Sequence, residues 1–208
     1  MYVPKEFSEH RIEVLHAAMR EAGLATLVSS KGSGGFSITH LPLLLEPEPA
    51  PYGTLLGHVA RANPHWREGT GPAVAIFLGP DAYITPNWYE TKRTTGRVVP
   101  TWNYVAIHAF GTPTFFDDPD RLLTIVRRLT DKQGGGRTAP WSVDDAPSEF
   151  VQKQLSFIVG FSMPITALEG KYKMSQNRPP ADREGVVQGL AAEGQPEVAN
   201  LVADRNRK

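Results

Sequence analysis

Six runs between residues 24 and 109 decide the fold: LATLVSS (24–30), GGFSITHL (34–41), YGTLLGHVA (52–60), AVAIFLG (73–79), DAYITP (81–86) and RVVPTWNYVAIHA (97–109). They are short, rich in β-branched and aromatic residues, and mostly bounded by Gly, Pro or Asn, the punctuation of strands and tight turns. Strands this close in sequence predict an antiparallel barrel or sandwich. One interruption, RANPHW at 61–66, reads as a turn, because Asn63 precedes Pro64 and the residue before proline is pushed out of the helical region.

Helical texture surrounds these runs. Ser8 is placed to cap a helix over about 9–22 whose apolar positions Ile12, Leu15, Met19 and Ala22 recur at helical spacing, with Gly23 to end it. Further along, Asp118 can cap and Pro119 can take the first position of a helix reaching Lys132, with Leu122, Leu123, Ile125, Val126 and Leu129 as its apolar face. A second stretch from Asp145 to Val159 carries Phe150, Val151, Leu155 and Ile158 on one side. FSMPITALEG (161–170) then reads as a returning strand, and Met163 before Pro164 predicts an edge position or a bulge. Two short helices, Pro180–Leu190 and Pro196–Arg205, close the chain. Strands and helices without regular βαβ alternation make the class α+β. The length of 208 residues suits one domain over 1–208, with a helical C-terminal extension from about 178.

Composition narrows the function classes. Lys+Arg and Asp+Glu are both 22, so net charge is +0 and no global field draws the molecule to nucleic acid or an anionic membrane. Cysteine is absent, which excludes disulfides, thiolate metal sites and a cysteine nucleophile, and fits a cytoplasmic location. No stretch approaches the roughly 20 apolar residues of a membrane span, so no membrane partner is expected. None of the six histidines forms an HxxxH, HxH or HExxH pair, and GxSxG, GxxxxGK[ST] and GxGxxG are all missing. Zinc, hydrolase, P-loop and Rossmann readings therefore drop out, and no catalytic residue or metal ligand is assigned.

Four clusters hold more polar and aromatic groups than packing demands. In SITHLP (37–42), His40 shares a strand face with Phe36 and Ile38, where it is either a ligand contact or a core-edge histidine. In GHVARANPHW (57–66), Arg61 and Asn63 end a strand; a guanidinium beside turn donors matches phosphate oxygens, and equally a carboxylate neighbour. YITPNWYETKR (83–93) offers the flat faces of Tyr83, Trp88 and Tyr89 beside Lys92 and Arg93, the mixture a planar phosphorylated ligand needs or a hydrophobic corner with a basic rim. LEGKYKMSQNR (168–178) gathers Lys171, Lys173 and Arg178 around Ser175, Gln176 and Asn177 just before a helix, which suits an anion or a solvated turn.

Taken together these segments resemble one family, the PaiB-like negative transcriptional regulators of the FMN-binding split-barrel superfamily. The resemblance runs from MYVPKEF through THLPLLL, GTLLGHVARANPHW, IFLGPDAYITPNWY and VPTWNYVAIHAFG to LEGKYKMSQNR, nearly the whole chain. It implies a six-stranded antiparallel split β-barrel, from about 24 to 116 and completed near 161–168, with peripheral helices. It also implies a homodimer with FMN sites at the dimer interface. The phosphate is then expected at Thr39, Arg61 and Asn63, and the isoalloxazine near His40 and His58. Trp88, Tyr89 and Lys92, and Lys171, Ser175 and Gln176, would approach from one side. The ligand is a flavin or another small planar phosphorylated molecule.

A DNA or protein partner is also implied. Neither 118–132 nor 145–159 has the neighbour a helix-turn-helix needs, which leaves local patches at Lys92, Arg93 and Arg97, at Arg127 and Arg128, and at Arg205, Arg207 and Lys208. Three functions stand open: a flavin-linked regulator or sensor, an FMN-dependent oxidoreductase, and a haem-binding barrel using His40, His58 or His65.

Overall fold

The computed structural model describes residues 1–49 and 51–205; Arg207 and Lys208 of the expected basic tail lie outside the described residues. In chain order the elements are β1 (Ser8–Glu9), α1 (Ile12–Glu21), β2 (Ala25–Ser30), β3 (Phe36–Leu41), β4 (Leu44–Glu46), β5 (Thr54–Ala60), α2 (His65–Glu68), β6 (Ala73–Ile84), α3 (Glu90–Thr95), β7 (Thr101–Gly111), β8 (Thr114–Phe116), α4 (Pro119–Gly134), α5 (Ser148–Leu155), β9 (Ile158–Lys173), α6 (Pro180–Ala192) and α7 (Pro196–Arg205). The strand order is β3-β2-β6-β7-β9-β5-β4, with β1 and β8 both on β9. Nine described strands replace the expected six because β1, β4 and β8 are pieces of two or three residues. AVAIFLG and DAYITP fuse into the single twelve-residue β6.

The described chain divides into two compact units. The larger comprises residues 12–77 and 108–168. Here β2 pairs antiparallel with β3 and β6, and β5 with β4 and β9. β3 and β5 approach each other, so the sheet curls into a split barrel. Leu27, Leu55, Val59, Ala75, Phe161 and Met163 fill its interior; each large side chain among them contributes roughly 1.5–3 kcal/mol by leaving water. Outside, α4 begins as its sequence dictates: Asp118 Oδ1 accepts the Arg121 amide at 2.8 Å and Pro119 occupies the first position. Its Ile125 and Leu129 pack with Leu44, Leu56 and Phe116.

Four expectations change. Ser8 does not cap α1: it lies in β1 opposite Lys171 with its hydroxyl 2.8 Å from His10 Nε2, and the helix begins at Ile12. The 145–159 helix contracts to α5, since Pro147 precedes its first residue and Ile158 and Val159 already pair with Ala60 and Val59 as strand. Phe150 consequently lies exposed rather than on an apolar contact face. Pro164 is not on an edge strand: β9 runs between β7 and β5. Pro164 sits opposite Thr54, the first residue of β5, and the next residue resumes the contact, Ile165 donating its amide to Gly53 O at 2.9 Å. Finally, β3 turns Ser37 and Leu41 inward and leaves Phe36, Ile38 and His40 exposed, so His40 is not a core-edge residue.

The smaller unit comprises, among the described residues, 1–11, 78–107 and 169–205. Here α6 and α7 pack together, burying Val186, Leu190, Val198 and Val202. α6 also rests on the 3-10 turn Pro86–Trp88 through Gly185 and Gly189, at which an added Cβ would meet the Trp88 carbonyl oxygen and indole. After β9 the chain turns through Ser175, whose φ of 60° is unusual for a side-chain-bearing residue.

Candidate functional site

In the larger unit the segment after β5 assembles a polar network. Asn63 Oδ1 accepts the His65 amide at 3.0 Å, holding the start of α2, while Asn63 Nδ2 donates to Thr39 Oγ1 at 3.0 Å. The His65 ring lies between two hydroxyls, with Nδ1 2.9 Å from Thr39 Oγ1 and Nε2 2.8 Å from Ser29 Oγ. Burial, and secondarily the Lys31 charge, push its pKa below the ordinary histidine value. Thr39 and Asn63 are thus engaged in fixing the turn that presents Arg61.

Arg61 is the centre of the site. Its Nε donates to Ser156 O at 2.6 Å, Nη2 to Ile158 O at 3.0 Å, and the end of the guanidinium grips the Asp117 carboxylate in a fork, with Nη1 3.0 Å from Oδ2. That pair forms one wall of a cleft of about 470 Å³, also lined by Trp66, Phe115, Phe116 and Val159. The Trp66 indole is oriented by its own hydrogen bond to Arg61 O at 3.0 Å. Phe116 can approach β9 closely because Gly160 has no side chain; an added Cβ there would fall 2.4 Å from its ring.

The two histidines expected beside the ring system differ. His40 is exposed and its Nδ1 lies 2.9 Å from Thr26 Oγ1. His58 is partly buried on β5, its Nδ1 lacks a hydrogen-bond partner among the described residues, and burial lowers its pKa.

The remaining expected site residues fall in the smaller unit. Trp88 lies under α6, and Tyr89 is buried with the Arg178 guanidinium 4.4 Å from its ring centroid. Burial raises the Tyr89 hydroxyl pKa against the opposing pull of Arg178. Lys92 Nζ contacts Asn87. Lys171 donates to Tyr2 O at 3.1 Å and faces the Tyr2 and Tyr104 rings, and Ser175 Oγ accepts from Asn103 Nδ2 at 2.9 Å. Gln176 Oε1 accepts the Met174 amide at 2.6 Å, closing the turn after β9.

Thr39 and Asn63 are joined by a hydrogen bond, but the Arg61 guanidinium turns to Asp117 instead, and the cleft it lines is shared with Asp117, Phe115 and Phe116, which the sequence does not announce, and not with Thr39 or Asn63. In FFDDP the sequence marks Asp118 as a helix cap, and nothing local marks Asp117 as the partner of a residue 56 positions earlier.

Residues 1–167 match a family described as "Putative FMN-binding domain". The chain belongs to this family. It is PaiB-like: it is 32% identical over 213 residues to the protease synthase and sporulation protein PAI 2 of Bacillus subtilis, covering 100% of this chain and 99% of that one. A further relative of this PaiB-like chain, an uncharacterised protein of Aspergillus fumigatus, is 31% identical across 91% of this chain and 90% of its own. Among solved structures, the FAD and heme binding protein of Mycobacterium smegmatis superposes with a TM-score of 0.59 over 81% of the PaiB-like chain and 74% of its own, at 18% identity, which is a likeness of fold. Among the described residues no helix is long and apolar enough to cross a membrane.

Proposed function

We propose that this PaiB-like protein binds FMN in the larger unit and acts as a flavin-linked regulator or sensor. The observation that carries this reading is the 470 Å³ cleft, a volume within the usual range for small-molecule sites. Trp66, Phe115 and Phe116 line it with aromatic rings, with Arg67 over the Trp66 ring and Arg121 over the Phe116 ring, and Arg61 gives it a fork of donors for a phosphate. These residues fit a flavin nucleotide. When bound, the flavin would supply electron chemistry that no side chain provides.

The regulatory reading draws on the likeness to the Bacillus relative, which is named as a protease synthase and sporulation protein. It is favoured also by the cleft, whose charged lining is an arginine and a carboxylate already tied to each other. Three arginines of the basic patches are locally neutralised: Arg93 pairs with Glu90, Arg127 with Asp144 and Arg128 with Glu46. Such pairs weaken attraction to a DNA backbone, so a small-molecule signal or a protein partner is the better match. The exposed apolar face of β3 suits a second copy of the chain.

Calorimetric titration with FMN and riboflavin tests the reading. FMN is expected to bind, and Arg61→Ala to weaken it by about tenfold or more, the effect of losing a hydrogen bond to a charged group, with riboflavin affinity little changed. Absence of flavin binding would overturn the proposal. Steady-state oxidation of reduced nicotinamide by the FMN-loaded protein would replace the sensor by an oxidoreductase.

A further inference from the structure

Five N–H donors are available on a guanidinium, and Arg61 uses them in two distinct ways. The bonds to Ser156 O and Ile158 O anchor it to the segment between α5 and β9 and to the start of β9. The bonds to Asp117 use the free end of the fork, the edge that a phosphate's oxygens would also grip. Exchanging one acceptor for the other leaves both anchoring bonds in place.

The surroundings permit that exchange. Arg61 and Asp117 line the aromatic cleft and also a second cleft of about 280 Å³, formed with Pro119, Leu122, Gln152 and Leu155. The carboxylate therefore has space on either side of the pair. Its side chain is 63% exposed, so it returns to water readily, and exposed ion pairs are weak. Nor does Asp117 hold up the helix that follows, because the neighbouring Asp118 caps α4.

We propose that Asp117 is an internal competitor for the phosphate of a bound flavin, so that this carboxylate sets how strongly the cleft prefers FMN to riboflavin. The proposal rests on the flavin reading above. In the free protein Asp117 occupies the fork, keeping Arg61 extended and ready; on binding, the phosphate takes the fork and Asp117 swings into solvent. Affinity for the phosphorylated ligand is reduced by whatever the ion pair is worth, while a ligand without phosphate leaves the pair untouched.

Binding of FMN and of riboflavin to the full chain, to Asp117→Asn, to Arg61→Ala and to the double variant decides the matter, with far-UV circular dichroism confirming that each is folded. Asp117→Asn is expected to tighten FMN by about two- to fivefold, the scale of an exposed ion pair, and to leave riboflavin unchanged. In the Arg61→Ala background the same change should have no effect on FMN. An unaltered FMN-to-riboflavin ratio in Asp117→Asn, with FMN still bound by the natural chain, would overturn the competitor role and spare the flavin reading. Tightening that persists without Arg61 would reveal simple charge repulsion and overturn it as well. Failure of the natural chain to bind either flavin would remove both.

Discussion

At Gly189 an added methyl group would fall 2.3 Å from the Trp88 indole, and at Gly185 1.9 Å from the Trp88 carbonyl oxygen. Neither contact can be relieved by a flexible side-chain end, so α6 must shift. Gly189→Ala is accordingly expected to destabilise the smaller unit by about 1–3 kcal/mol, the usual cost of overpacking, despite alanine's higher helix propensity. Chemical denaturation followed by tryptophan fluorescence measures it; a stability equal to or above the natural chain's would show that α6 moves without penalty. The sequence VQGLAA gives no hint of this, because a glycine's reason lies in the atom facing it. Arg61 and Asp117 teach the same lesson. A strand-ending arginine was legible as an anion binder, but its acceptor was not, since the pairing spans two segments that only the fold brings together.

At the scale of elements, local chemistry carried the reading wherever the chain's own neighbours decide the outcome. α4 starts where Asp118 and Pro119 place it, and Asp118→Ala should cost about 1 kcal/mol, typical of a lost N-cap. Thermal unfolding checks this, with Asp118→Asn expected to retain most of the stability. A loss equal for both variants would assign the effect to charge rather than capping. Reading was less good where a tertiary partner decides. Ile158 and Val159 fit a helical face as well as a strand, and pairing with β5 settles them as strand. Gly79 and Pro80 look like a break, yet β6 continues through both. Gly79 lies against Val105 of β7, where an added Cβ would meet its side chain at 2.9 Å, so the glycine serves a close approach rather than a turn.

For the whole molecule, acid should reduce stability in two windows. His58 and His65 are held neutral by burial, with Lys31 adding to the effect at His65, so both pKa values lie below the ordinary 6.5. A folded-state pKa that is depressed stabilises the fold above the unfolded value and loses that contribution as pH falls through the folded one. Unfolding midpoints should therefore start to drop below about pH 6.5, and His65→Gln should blunt this first decline. Glu9 governs the second window. Burial alone would raise its pKa, but hydrogen bonds from Arg11 and the Arg205 charge prevail and lower it from 4.5 to about 2, so its contribution is lost between those values. A flat profile from pH 7 to 5 would contradict the histidine argument. At this scale β3 also bears on association. Phe36 and Ile38 are 68% and 61% exposed, and the residues that pair with them through β2, Ser30 and Val28, continue a largely apolar face toward Val74 on β6. Side chains this apolar on an open sheet face favour burial against a partner, and a stable homodimer would remove on the order of 2,000 Å² from water. Ile38→Lys places a charge in the middle of that face without touching the interior, because the opposite side of β3 carries Ser37, Thr39 and Leu41. Sedimentation velocity is expected to give a dimer for the natural chain and a folded monomer for Ile38→Lys. A natural chain that is monomeric at high concentration, or a variant that still dimerises, would move the interface elsewhere.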